Sequence, residues 1–593
     1  MSKTPVVFVP GLGGSFHLLV LLDWSAPTLN GWDFPPFVDY GHTFVDTLVR
    51  AGFTRNRDLF VAFYDWRKSV SDSANNYLIP WIDRARKQSG SEKVVLVGHS
   101  MGGLVARSYI QSSTYRGDVE RLITLGTPHR GAADAYYSWE GGEMNWDPVA
   151  NAVFAVYLWY LQHVHPFQTQ LNRLNTIRTQ APGVRDLLPL YDYLQNQTTP
   201  PALTPLQQMR ERNLLGNLML SQAGLNQLLT RAPLTTICGT GFTTIQSIVI
   251  GSPPAPPEDP PRFVDGAPFG TATTGAGDGT VLLISASVDD PRVDNLPPLP
   301  IAHEALPDKA TVQVLTELNV APPASVAAPA PAPRLVIMTA SPIDLTVELP
   351  SSVPAVLSDG AIAPWRRGRL VKAKNYGHRG KHLNMVVIPA PATGTYNVRL
   401  RGTATGTFAL GALVVSPRDT APGMAAPAIL SADGAGNVAK PVLTTPISTV
   451  RGQVAAETEL RYQIVYAADT EAPQVLFDVG ATTRDALVRL STAVVAPPSM
   501  VLGDEETAPQ VQAVLSSADA PDALRATVGA ALLQHDTAAT QQLVESLRSA
   551  DVATLRLLMG VVEEVLGPRD RRLAHGLSEQ LRQVVELGIE NEE

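Results

Sequence analysis

The hexapeptide Gly98-His99-Ser100-Met101-Gly102-Gly103 lies between the apolar run Lys93–Val97 and the helix-like stretch Leu104–Gln111. Strand, sharp turn and helix in that order lift a serine hydroxyl clear of a sheet, and the flanking glycines leave room for the turn and for a closely packed helix. Such an elbow needs a buried strand before it and a helix after it, so it constrains the fold to a helix-covered, mostly parallel sheet. A Gly-x-Ser-x-Gly pattern also arises by chance in a chain of 593 residues. The weight therefore rests on context, and in that context Ser100 reads as the nucleophile of an acyl-transfer reaction.

A serine nucleophile needs a general base, and the base needs a carboxylate to hold its tautomer. After an elbow of this kind the partners follow in chain order, acid and then histidine. Asp278, in the glycine-rich loop Gly275–Val281, is the best acid, and its plain alternative is a turn-forming Asp-Gly pair. His303, in the loop Leu299–Glu304, is the best base, and its plain alternative is a surface histidine. His99 sits inside the elbow and cannot easily fold back onto its neighbour; His129 precedes the acid; His378 and His382 lie far downstream. A tetrahedral oxyanion also needs two fixed N–H donors. Met101 follows the nucleophile, and Leu12 follows the Pro-Gly turn of Val9–Ser15, a glycine loop that lacks the Gly-Lys-Ser/Thr ending of a phosphate cradle.

Short β-branched runs at Val6–Val9, Leu59–Ala62, Lys93–Val97, Arg121–Leu125 and Leu234–Cys238 alternate with helical patterns, which assigns residues 1–320 to one α/β domain. No strand signal is read between Ala132 and Arg231; residues 132–232 form a helical, aromatic insertion, read as a cap. An Ala/Pro linker occupies 321–334. Gly- and Pro-punctuated short runs over 335–470 predict an all-β sandwich, and helical spacing from Leu524 onward predicts an α-helical region over 471–593.

Net charge is -9 with no Lys/Arg block, which argues against a nucleic-acid partner. Cys238 is the only cysteine, which excludes an internal disulfide and a thiolate zinc cluster. No metal and no organic cofactor is expected. No apolar stretch is long enough to span a bilayer, and no signal segment is read, so a cytoplasmic location is expected unless the sequence is a mature, exported form.

Val9–Gly14, His42–Val49 with Gly52-Phe53, Tyr64-Asp65-Trp66-Arg67, Gly98–Gly103, Leu125–Gly131 and Gly277–Val281 together resemble the lecithin:cholesterol acyltransferase family of lipases and acyltransferases. The resemblance implies an α/β-hydrolase fold with a Ser100–Asp278–His303 triad and Leu12 and Met101 as oxyanion donors. It departs where those relatives carry a disulfide-tied lid, since Phe16–Tyr40 contains no cysteine. The β-sandwich and the helical C-terminal part are not features of the family.

Asp65 and Arg67 read as a structural pair beside the site. Trp24, Trp139 and Trp159 are candidates for acyl binding, with ordinary core packing an equal reading of the same aromatics. The expected activity is serine-dependent hydrolysis or O-acyl transfer of acyl-lipid esters, with peripheral contact at a lipid interface. The rival readings are a small-ester carboxylesterase without such an interface, and a binding protein whose β-sandwich does the work.

Overall fold

The structure is a computed structural model describing residues 3–478 with breaks, the larger ones at 22–27, 165–172, 254–260, 325–332, 351–365, 416–447 and 467–474. Residues 479–593, where the C-terminal helical region is expected, and Trp24 lie outside the described residues. The chain divides into two compact units, one of Met1–Pro333 with Val415–Thr445, the other of Arg334–Val414 with the chain from Pro446.

The described strands of the first unit are β1 (Val6–Val9), β2 (Leu59–Val61), β3 (Val94–His99), β4 (Val119–Leu125), β5 (Leu194–Asn196), β6 (Ala202–Leu203), β7 (Leu234–Ile237), β8 (Thr244–Ile250), β9 (Pro268–Thr274) and β10 (Asp294–Asn295). Six of them make the central sheet in the order β10-β7-β4-β3-β1-β2, every pairing parallel. A parallel sheet is covered on both faces, so its strands read as unbroken apolar runs rather than alternating ones. β1 is Val-Val-Phe-Val and β3 begins Val-Val-Leu-Val, buried at every position. β3 is therefore central, and its carboxyl end opens among the carboxyl ends of β1, β4 and β7, where open α/β sheets place their ligands.

The stretch expected to hold no strand contains two. β5 and β6 join β8 and β9 in a second sheet of order β6-β5-β8-β9. Leu194-Gln195-Asn196 carries little intrinsic strand preference; β5 extends because the β-branched strand β8 offers it a parallel partner. Tyr193 and Leu194 anchor it in a cluster with Tyr136, Tyr137, Ile248 and Phe263. The insertion thus combines helices, including the apolar Pro148–Val164, with an edge of sheet.

In the second unit, Lys381–Pro389 pairs antiparallel with Arg334–Ala340 in a five-stranded sheet, and Gly394–Gly402 pairs antiparallel with Ile343–Glu348 and Glu459–Tyr466 in a six-stranded one. Alternate residues turn inward, as the period of a strand requires. Leu335, Ile337 and Leu410 of the first sheet share one hydrophobic cluster with Ile343, Leu345 and Val398 of the second. The six-stranded sheet continues to Val475–Asp478, past the expected boundary at 470.

Candidate active site

β3 ends at His99 and the helix Met101–Gln111 begins at once, leaving Ser100 alone to turn the chain. Its backbone pays in strain: φ 53°, ψ −128° is a conformation that L-residues rarely adopt, at a cost of order 1–3 kcal/mol. The turn is pinned by the Ser100 N–H donating to Leu125 O at 2.9 Å. Gly102 is required by close approach, because a Cβ there would collide with the carbonyl oxygens of Val9 and Pro10. The helix start is thereby pressed against the end of β1, whose following loop carries Leu12.

The three side chains nominated from the sequence form one hydrogen-bonded run. His303 Nε2 lies 2.9 Å from Ser100 Oγ, and His303 Nδ1 lies 2.8 Å from Asp278 Oδ2. Asp278 Oδ1 accepts from the N–H groups of Thr280, at 3.0 Å, and Val281, at 2.7 Å. The glycine-rich loop so closes around its own carboxylate and leaves Oδ2 for the imidazole. A carboxylate on Nδ1 fixes the tautomer with Nδ1–H donating and Nε2 bare toward the serine.

Ser100 is 9% exposed, His303 1% and Asp278 0%. Burial by itself opposes a charged imidazolium at His303, but the Asp278 carboxylate, with Asp147 and Glu304 adding to it, outweighs burial and holds His303 above its ordinary pKa. Asp147 caps the start of the helix Pro148–Val164, accepting from Val149 and Ala150 N–H. Nothing local in the sequence marks it as a neighbour of His303.

Met101 opens its helix directly after Ser100. In the loop after β1, Gly11 N–H donates to Tyr40 Oη and Gly14 N–H to Gly11 O, with Leu12 and Gly13 between them. His129 is buried elsewhere, taking a hydrogen bond from Arg107 at Nδ1, and burial followed by the Arg107 charge keeps it well below its ordinary pKa. His378 and His382 belong to strands of the second unit.

Asp65 and Arg67 form a fully buried ion pair, Arg67 Nη2 to Asp65 Oδ2 at 2.8 Å. The same guanidinium donates to Val20 O, Leu21 O and Tyr157 Oη. The cysteine-free segment after β1 is therefore clipped by one arginine to backbone carbonyls. Trp139 is buried, donates its indole N–H to Glu211 and packs against the Arg178 and Arg185 guanidiniums, each 5.6 Å from its ring centroid. Trp159 is also buried, on the apolar helix.

Among the described residues no group of three or more His, Cys, Asp or Glu side chains is arranged to hold a metal ion. No described helix is long and apolar enough to cross a membrane.

Residues 37–157 match the family model described as lecithin:cholesterol acyltransferase. That span contains Ser100 but neither Asp278 nor His303. Over 148 residues the chain is 31% identical to the lysosomal phospholipase A and acyltransferase of Homo sapiens, covering 24% of this chain and 34% of that one. Over 94 residues it is 34% identical to the phospholipase A(1) LCAT3 of Arabidopsis thaliana, covering 15% and 21%. The matches thus span about a third or less of these relatives. The lipase BlEst2 of Bacillus licheniformis in its propeptide form is a distant structural likeness, with a TM-score of 0.29 and 14% identity over 80% of this chain and 96% of that one.

Proposed function

We propose that this chain, lecithin:cholesterol acyltransferase-like in its first unit, is a serine hydrolase or O-acyltransferase of acyl-lipid esters. The observation that carries the reading is the buried hydrogen-bonded run from Asp278 through His303 to Ser100. In this reading His303 Nε2 takes the Ser100 proton as Oγ attacks the acyl carbonyl, and the Leu12 and Met101 amides hold the oxyanion. The tetrahedral adduct expels the alcohol, which takes the proton from His303, and leaves the acyl group on Ser100. Water or an acceptor alcohol, deprotonated by His303, then attacks the acyl-enzyme; the Ser100 Oγ–acyl bond breaks, Oγ takes the proton back from His303, and acid or a new ester is released.

The choice between the two acceptors follows from how well the insertion excludes water while an alcohol is bound. Trp159, on a helix whose described side chains are largely buried, is the better of the two described candidates for acyl contact; the Trp139 ring is already engaged by the Arg178 and Arg185 guanidiniums. We further read the two sheets of the second unit as a β-sandwich accessory module.

The test is a fluorophosphonate label mapped by mass spectrometry, together with p-nitrophenyl ester turnover over acyl chains of increasing length, with and without micelles. Label on Ser100, loss of turnover in Ser100→Ala, and rates that rise with chain length and interface are expected. Label elsewhere defeats the site, and indifference to chain length and micelles leaves a small-ester carboxylesterase in place of the lipid enzyme.

A further inference from the structure

Two buried rings that the chemistry above does not use are threaded between its parts. Tyr40 Oη accepts from Gly11 N–H at 2.9 Å and lies 2.9 Å from His99 Nδ1. His99 Nε2 lies 2.9 Å from the carbonyl oxygen of His303. A carbonyl only accepts, so Nε2 bears a proton. In the neutral ring Nδ1 is then the acceptor, and the Tyr40 hydroxyl donates to it. Every polar atom is used in one direction: Gly11 N–H to Tyr40 Oη, Tyr40 O–H to His99 Nδ1, His99 Nε2–H to His303 O. Burial, with the nearby His303 adding to it, keeps His99 well below its ordinary pKa, which agrees with the neutral ring.

The packing points the same way. The His99 and His303 rings lie 4.9 Å apart, centroid to centroid, and the Tyr40 and His99 rings 5.5 Å apart. A Cβ on Gly11 would meet His99 Nδ1 and Ser100 Cβ, each at 2.9 Å, and one on Gly14 would meet the Tyr40 ring at 2.6 Å. These glycines admit two aromatic rings. The base is held on its other side as well, since its N–H donates to Asp278 O at 2.9 Å.

The geometry points to Tyr40 and His99 as positioning residues, a tether that sets the spacing between the loop bearing the Leu12 amide and the backbone of His303. This rests on the acyl-transfer reading above for its catalytic consequence. An oxyanion donor and a base must keep register to within a fraction of an ångström while Oγ moves between them, and a shift of about 1 Å costs on the order of a hundredfold in rate. The tether joins the two loops through side chains rather than through the sheet.

The test uses the full chain with Tyr40→Phe, His99→Leu and His99→Gln, the last keeping an amide N–H able to reach the His303 carbonyl. Tyr40→Phe is expected to lower kcat about 10- to 100-fold with KM within about twofold. His99→Leu should lose more, and His99→Gln should recover part of that loss. Nitrogen-15 imidazole spectra of the wild-type protein should show His99 as an Nε2–H tautomer that does not titrate between about pH 5 and 8, and its proton should exchange faster in Tyr40→Phe. Wild-type kcat in both Tyr40→Phe and His99→Leu, or a folded His99→Gln no better than His99→Leu, overturns the tether. If the wild-type protein has no Ser100-dependent turnover, the acyl-transfer reading fails and the spectra decide the tether alone. An Nδ1–H tautomer, a ring that titrates in that range, or exchange unchanged in Tyr40→Phe then overturns it.

Discussion

At the residue scale the site works by assigning each proton to one atom. His303 is pulled two ways, burial favouring the neutral ring and Asp278 favouring the cation, and the carboxylate wins. A general base must be neutral to act, and its pKa is raised above the ordinary 6.5. The acid limb of kcat/KM is therefore expected above pH 6.5, activity falling as pH drops through the folded value. Asp278→Asn removes the charge and presents the wrong donor pattern to Nδ1; kcat should fall about 10⁴-fold, as in other triads, and any residual limb should move to lower pH. Ser100 is the converse case, where on the proposed reading function costs stability. Ser100→Gly relieves a backbone held at φ 53° and should raise the unfolding free energy by about 1 kcal/mol in urea titrations while abolishing covalent labelling.

At the scale of elements, single polar groups join segments that hydrophobic packing alone would leave loosely related. Arg67 ties the segment after β1 to the loop after β2 and to the helix Pro148–Val164 through four groups. Arg67→Met leaves the Asp65 carboxylate and two carbonyls buried without their partner, and chemical denaturation should register a loss of about 3–5 kcal/mol. Glu140, on the helix Asp134–Gly141, accepts from Asp265 N–H. Burial, then the Asp265 side chain, raises its pKa from 4.5 to about 9. The folded protein thus binds a proton that the unfolded chain releases above pH 4.5, so the stabilisation is full below that value and is lost as pH rises toward 9. Glu140→Gln should flatten the pH dependence of Tm across that window. The Asp65–Arg67 pair is legible in the sequence, but the reach of Arg67 to Val20 and Leu21 is not, and neither is the role of Glu140: an acidic residue on a helix reads as solvated until the helix is seen to bury it.

At the scale of the whole molecule, all the groups proposed for chemistry lie within Met1–Pro333. A chain ending at Pro333 is expected to keep fluorophosphonate labelling at Ser100, and loss of labelling with native circular dichroism would tie the second unit to the reaction. The sequence by itself determined the parts whose causes are local. Buried parallel strands show as β-branched runs, and an elbow shows as glycines around a serine, because a few successive residues carry the whole steric requirement. Chain order then nominated Asp278 and His303. What only the tertiary structure decided depends on pairs distant in sequence: β5 becoming a strand on β8, Arg67 reaching back to Val20 and Leu21, Asp147 adding its charge to that of Asp278 on His303. Tyr40 and His99 lie 59 positions apart, and from its place inside the elbow His99 cannot easily fold back onto Ser100. It turns to the backbone of the base instead, because direction and distance between side chains are set by how the sheet brings its loops together and leave no periodic trace along the chain.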